Sequence, residues 1–350
     1  MSETVIKVVG VGNGGVNAVS QIVRSQVAGV QTFALDTDHR KLLNVDVPNT
    51  LVIGDDVTEG LGCGGDPEKG RQAAESSAKE IEAVLAGSDM VFVTAAMGGG
   101  TGTGAAPVIC RIARDLGALT VGLCTKPFLF ERQRRMATAQ MGIEECAANV
   151  DAIITVDNQR LFEQVDKHTR LTDAFGMVDD VLRQAVQGIS DLIFIPGMIN
   201  VDFNDAKSVL QNAGPVLMGM GEASTETSSS EIVSRVISSP LLDNGIVGAT
   251  QLLLNITGGP ELTLWQVNEL AGAVAQATQT DETSTIFGTV IDPAMAGRLR
   301  LTILAASFID TVAAHHAPHG SSRPLHTPAR RPAPAPTPTY TPRSTPPPAP

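Results

Sequence analysis

The amino-acid sequence predicts an α/β protein built on a parallel sheet covered by helices. Three observations carry this. Strand-like and helix-like segments alternate as far as Val156. The strand-like segments are apolar runs of the kind found in sheets buried on both faces. Glycine-rich loops follow two of them at their carboxyl ends, where such sheets bind ligands.

In chain order, TVIKVVGVG (4–12) is rich in β-branched residues and reads as a buried strand. GVNAVSQIVRSQ (15–26) spaces its apolar residues as a helix does, and VQTFALD (30–36) returns to a strand. PEKGRQAAESSAKEIEAVLAG (67–87) opens on proline, closes on glycine and reads as one long helix; SDMVFVTAAM (88–97) is the next buried strand. GAAPVICRIARDLG (104–117), ALTVGLCTKP (118–127), RQRRMATAQMGIEECAANV (132–150) and DAIITV (151–156) continue as helix, strand, helix and strand.

Composition narrows the function classes. The 350 residues are 43% hydrophobic, enough to fill two ordinary cores. No stretch approaches the roughly 20 apolar residues that cross a bilayer, and MSETVIKVVG lacks a basic leader, so the chain is expected in the cytoplasm without direct membrane insertion. Cys63, Cys110, Cys124 and Cys146 form no CxxC pair and read as free thiols. Net charge is −12, and from Thr311 on there are four arginines and no acid, so the body carries −16. An acidic body is a poor nucleic-acid partner. The same tail holds twelve of the 21 prolines and is expected to be a disordered or polyproline II arm.

The first glycine loop is GVGNGGVN (10–17). Gly10, Gly12 and Gly15 satisfy GxGxxG, and Asp36 ends the next strand, the pattern of a dinucleotide site. This loop alone leaves an NAD-dependent oxidoreductase and other nucleotide proteins open. The second loop, GGGTGTG (98–104), decides against the first: a dinucleotide fold does not call for it, and without lysine it is no P-loop. Backbone amides, the Thr101 and Thr103 hydroxyls and a helix dipole are left to hold phosphate; a bland glycine-rich turn would not aim two threonines out of five glycines.

GGGTGTG resembles the signature of the tubulin and FtsZ superfamily, and about residues 5–306 are similar to bacterial FtsZ, the filament-forming division GTPases. The match runs through GVGNGGVNAV, TEGLGCGGDPEKG, KPFLFERQRR, DAFGMVDDVLRQAVQGI, PGMINVDFNDAKSV, ISSPLL and FGTVIDP. The resemblance implies a parallel-sheet GTPase domain (1–172), a long central helix (173–194), a smaller α+β activation domain (195–310) and the tail (311–350).

It also implies roles. Asn13, Gly14, Gly15, Val16 and Asn17, with Gly100, Thr101 and Gly102, would hold the phosphates of GTP or GDP; Glu131 and Arg135 would reach the ribose and phosphate region. Phe175 would stack on the base, and the Asp179 carboxylate would accept guanine's paired N–H donors, which adenine lacks. Elsewhere Glu131 and Arg135 would read as a solvated i, i+4 ion pair and Phe175 as core. Asp202 and Asp205, assisted by Asn200, would polarise the attacking water in the pocket of the next subunit, although in isolation such residues are helix caps. Head-to-tail self-assembly would then be a condition of hydrolysis. Mg2+ is expected beside the phosphates, its ligands unassigned.

Several positions depart from the family pattern. Asp36 stands for asparagine, Glu59 for a basic residue, Arg132 for glycine and Asp157 for proline; STETSSSE (224–231) and the tail lack the usual motifs, including a docking peptide for other division proteins. These differences keep a second reading alive, a nucleotide-binding structural subunit with little activity.

Overall fold

The computed structural model describes residues 4–162, 166, 168–195, 197–199, 201–237, 243–280 and 282–308. Asn200 and the tail from 309 onward lie outside the described residues. The first half runs β1 (Ile6–Val11), α1 (Gly12–Arg24), β2 (Val30–Asp36), α2 (His39–Leu42), β3 (Asn49–Val52), α3 (Asp55–Thr58), α4 (Pro67–Ser76), α5 (Ala78–Leu85), β4 (Met90–Ala96) and α6 (Thr101–Asp115). It continues through β5 (Leu119–Lys126), α7 (Gln133–Ala147), β6 (Ala152–Asp157) and α8 (Asn158–Phe162) to the long α9 (Leu171–Phe194). Then come α10 (Phe203–Leu210), β7 (Gly214–Pro215), β8 (Leu217–Ser224), α11 (Ser229–Ile237), β9 (Asp243–Ile246), β10 (Ala249–Gly258), α12 (Leu264–Thr278), β11 (Ser284–Ile291) and β12 (Arg298–Phe308).

The predicted parallel sheet is present, seven strands in the order β3-β2-β1-β4-β5-β6-β7, every pair parallel. Its strands alternate between two cores. Ile6, Val8 and Phe92 face α1 and α9, while Val9, Val11 and Val93 face α5, α6 and α7. The second sheet is mixed, β11-β10-β12-β8, with β10 parallel to β11 and antiparallel to β12. Its Leu253 and Leu304 join the first core through Val181, Val186 and Ile189 of α9; Leu252, Leu254 and Ile303 pack under α11 and α12. The long helix is thus a shared core element of both sheets, and each fully buried aliphatic side chain along it stabilises the junction by roughly 1.5–3 kcal/mol.

Two boundaries differ from expectation. The segment 67–87 is two helices, broken at Ser77 (φ −97°, ψ 20°), whose Oγ accepts the Gly54 amide at 2.9 Å. Both glycine loops are shorter than their sequence suggests, because α1 already begins at Gly12 and α6 at Thr101. Among the described residues no helix is long and apolar enough to cross a membrane.

Candidate functional site

Both of those helices start at the carboxyl end of a central strand, α1 after β1 and α6 after β4, and β1 and β4 are hydrogen-bonded neighbours. Their N-termini therefore meet. A Cβ on Gly12 (φ +69°) would sit 2.8 Å from the Gly102 nitrogen, so only bare backbone allows the approach. Neither helix has a side-chain cap or an acidic residue in its first turn. The first amides of each are outside the helical ladder, and the two dipoles converge on one cavity of about 440 Å³, a volume suited to a nucleotide-sized ligand.

The cavity wall collects most of the predicted residues: Asn13, Gly14 and Asn17 of α1, Gly100, Thr101 and Gly102 of the second loop, and Glu131, Arg135, Phe175 and Asp179. Gly15 and Val16 are not on it. Gly15 packs against β4, where a Cβ would meet the Thr94 carbonyl oxygen at 2.2 Å, and Val16 is buried in the core. Their contribution is to seat α1 close to the sheet. The second loop is held in shape by Thr103, whose Oγ1 accepts the Gly98 amide at 2.9 Å.

At one end Glu131 Oε2 lies 3.1 Å from Arg135 Nε, and Glu131 Oε1 accepts the Phe128 amide at 2.9 Å. The i, i+4 pair of the sequence is therefore real, and it also borders the cavity. Phe175 meets Phe128 edge-on at 5.3 Å, and Phe128 stacks on Phe130 at 5.1 Å, so Phe175 is braced on the cavity wall while remaining 40% exposed. One turn further along α9, Asp179 is half-buried; burial alone pushes its carboxyl up to about 7. A carboxylate in that condition gains most from a ligand that brings donors.

Several wall residues escaped the sequence reading as binding candidates, and two of them carry polar or thiol groups. Asn158, directly after β6, is buried with Oδ1 lacking a hydrogen-bond partner. Its signal was position: a polar residue at the carboxyl end of a parallel strand. Cys63 is the second; its Sγ lies 3.3 Å from Thr37 Oγ1 and 3.5 Å from Thr101 Oγ1. Of the four departures, only Asp36 lines the cavity. Its carboxyl is raised above the ordinary range by burial, against the pull of Lys41 and of the Thr37 and Asp38 amides.

Asp202 and Asp205 stand apart. Neither borders this cavity; they cap α10 as a reciprocal box, Asp205 N donating to Asp202 Oδ1 at 2.8 Å and Asp202 N to Asp205 Oδ2 at 3.1 Å. The far end of α10 lies by the amino ends of β5 and β6: the Asn212 amide reaches Asp151 Oδ1 at 3.4 Å, and Asp151 Oδ2 accepts the Thr120 amide at 2.9 Å. The cavity is at the opposite, carboxyl end of the sheet.

A tubulin/FtsZ family GTPase-domain model matches residues 5–166, and the FtsZ family C-terminal domain matches residues 214–309. An empty FtsZ dimer of M. jannaschii is 38% identical, with a TM-score of 0.81 over 87% of this chain and 89% of that one. The chain belongs to the FtsZ family. A second M. jannaschii FtsZ, a point mutant, matches equally well at 38% identity and a TM-score of 0.81, covering 87% of this chain and 92% of its own. CetZ2 from Haloferax volcanii, described as a GTPγS-bound protofilament, shares the fold at 21% identity and a TM-score of 0.72, over 89% and 96% of the two chains. These FtsZ and CetZ structures are archaeal in origin, so they do not single out a bacterial branch. Membership of a GTPase family implies binding of GTP and GDP. Among the described residues no group of three or more His, Cys, Asp or Glu is placed to hold a metal.

Proposed function

We propose that this protein is a polymerising GTPase whose active site is completed only between two copies. The observation that carries the reading is the separation of the two parts: an anion cradle at one end of the sheet, and the pair of acids in a different part of the molecule, Asp202 exposed at the cap of α10 and Asp205 half-buried in its first turn. In this reading the triphosphate lies across the N-termini of α1 and α6, the base contacts Phe175 and Asp179, and Glu131 and Arg135 approach the ribose and phosphates. A second copy presents its Asp202 and Asp205 to that pocket, where they orient and polarise the attacking water. Asn200, which lies outside the described residues, is assigned the assisting role. Magnesium, when bound, would supply positive charge beside the phosphates as the leaving GDP separates from the γ-phosphoryl group.

Such a contact joins two different surfaces and does not close, so it propagates head to tail into a filament. The working units are 1–172 for nucleotide, 173–194 as the central helix, 195–310 for activation and 311–350 as the tail. The cellular role that follows is a cytokinetic ring in bacterial division, at the inner face of the membrane.

A structural subunit of low turnover is the second reading, favoured by Asp36, whose carboxyl group borders an anion-binding cavity. Light scattering with simultaneous phosphate release separates the two. Assembly and GTP-dependent phosphate release rising together support the first; assembly with no phosphate release supports the second.

A further inference from the structure

The cavity wall beside the phosphate cradle carries a charge of the wrong sign for its ligand. Asp36 ends β2, is 1% exposed and borders the cavity. Its Oδ1 accepts the amides of Thr37 at 2.7 Å and Asp38 at 3.2 Å; Oδ2 is closed to solvent and has no hydrogen-bond partner. The turn that holds it is tied to the cradle, since Thr37 Oγ1 lies 2.7 Å from Thr101 Oγ1.

Three groups are available to satisfy Oδ2. Lys41 borders the same cavity, but it is exposed and forms no ion pair with Asp36 among the described residues. A proton would neutralise the carboxyl, and burial favours it. A divalent cation arriving with the nucleotide would satisfy Oδ2 and at the same time cancel the repulsion between carboxylate and phosphate, which a lone proton on Asp36 does only on one side. Hard oxygen ligands, one from a carboxylate and the rest from phosphates and water, are the set Mg2+ takes in nucleotide sites. The absence of a protein-only cage among the described residues agrees with that set.

We propose that Asp36 makes this pocket select the metal complex of a guanine nucleotide over the free nucleotide, by entering the ligand sphere of the divalent cation through Oδ2. The proposal rests on the pocket being the guanine-nucleotide site. Free GDP meets a buried carboxylate beside its phosphates and is disfavoured; Mg-GDP meets a ligand. An amide at this position would keep the two Oδ1 contacts and discriminate between neither.

The test is equilibrium binding of GDP to the full chain, with millimolar Mg2+ and with EDTA, for wild type, Asp36→Asn and, should that variant fail to fold, Asp36→Ser. In wild type Mg2+ tightens GDP binding on the order of tenfold or more, the usual effect of a group that supports a metal. In the variant that gain disappears, and in EDTA the variant binds GDP more tightly than wild type. A variant that keeps the wild-type gain overturns the proposal. So does wild-type binding in EDTA that tightens on acidification as much as Mg2+ tightens it at neutral pH, which would show a proton in the cation's place. No binding of GDP to wild type under any of these conditions would instead sink the nucleotide reading itself.

Discussion

Asp179→Asn is expected to make the ligand-free protein more stable and its nucleotide complex weaker. The Asp179 carboxyl goes from an ordinary value of 3.8 to about 7 because burial strips water from its charged form. The sign follows from linkage: a raised carboxyl contributes full stability below pH 3.8, loses it as pH rises toward 7, and loses nothing further above that. The gap is about 3 pH units, worth at most about 4 kcal/mol at about 1.36 kcal/mol per unit. An asparagine of the same shape has no such dependence. Thermal unfolding should therefore give the variant little advantage near pH 4 and a growing one up to pH 7, level beyond. Binding runs the other way. In the proposed pose guanine's two donors lose a charged acceptor, at about 1.5–3 kcal/mol for a hydrogen bond to a charged group, so GDP affinity should fall by a factor of ten or more. In wild type, GDP affinity should weaken as pH drops below 7, where the carboxyl must lose a proton to accept, and the variant should lack that component. A variant less stable than wild type at pH 8, or one that binds GDP equally well, would refute the reasoning.

Asp205→Ala should retain GTP binding, because Asp205 does not border the cavity, while losing turnover; normal phosphate release by a folded variant would remove Asp205 from the chemistry. Arg132 occupies φ 76°, ψ 161°, a region nearly exclusive to glycine, so Arg132→Gly should stabilise the chain by about 1 kcal/mol in urea titrations, the relief of strain exceeding the entropy glycine adds to the unfolded state. All four cysteines are buried, but Cys63 alone, at 5% exposed, is on the cavity wall; Cys110 of α6, Cys124 of β5 and Cys146 of α7 share one core. GDP should slow alkylation of Cys63 by a small maleimide, followed by peptide mass spectrometry, and alkylation unaffected by saturating GDP would place the nucleotide elsewhere.

The sheet of the first half was legible because strands buried on both faces leave unbroken apolar runs, as in IKVVGV and MVFVTAA. Helix starts were less so. Glycines at Gly12 and Gly102 read as loop by propensity, whereas here they are the first helical turns, where bare backbone lets two N-termini touch. The break at Ser77 depends on a hydrogen bond to Gly54, 23 residues away, which no local pattern shows. The pocket was legible in its glycines and in residues carried by family resemblance, while Asn158 and Cys63 became visible as wall residues only once β6 and the loop before α4 had been placed. The mixed sheet came from resemblance alone, because its register pairs strands as distant as β8 and β12. The two acids were ambiguous between cap and catalyst, and within one chain they are a cap; the catalytic role is the one proposed for them at a contact between chains.

Phosphate release per molecule, followed while the protein is diluted through and below its assembly threshold, tests the shared-site account most directly. The account predicts a specific rate that falls toward zero as light scattering disappears, with GTP still bound to the dispersed chains. A specific rate that stays constant at every dilution would contradict it, since each chain would then carry a complete site of its own.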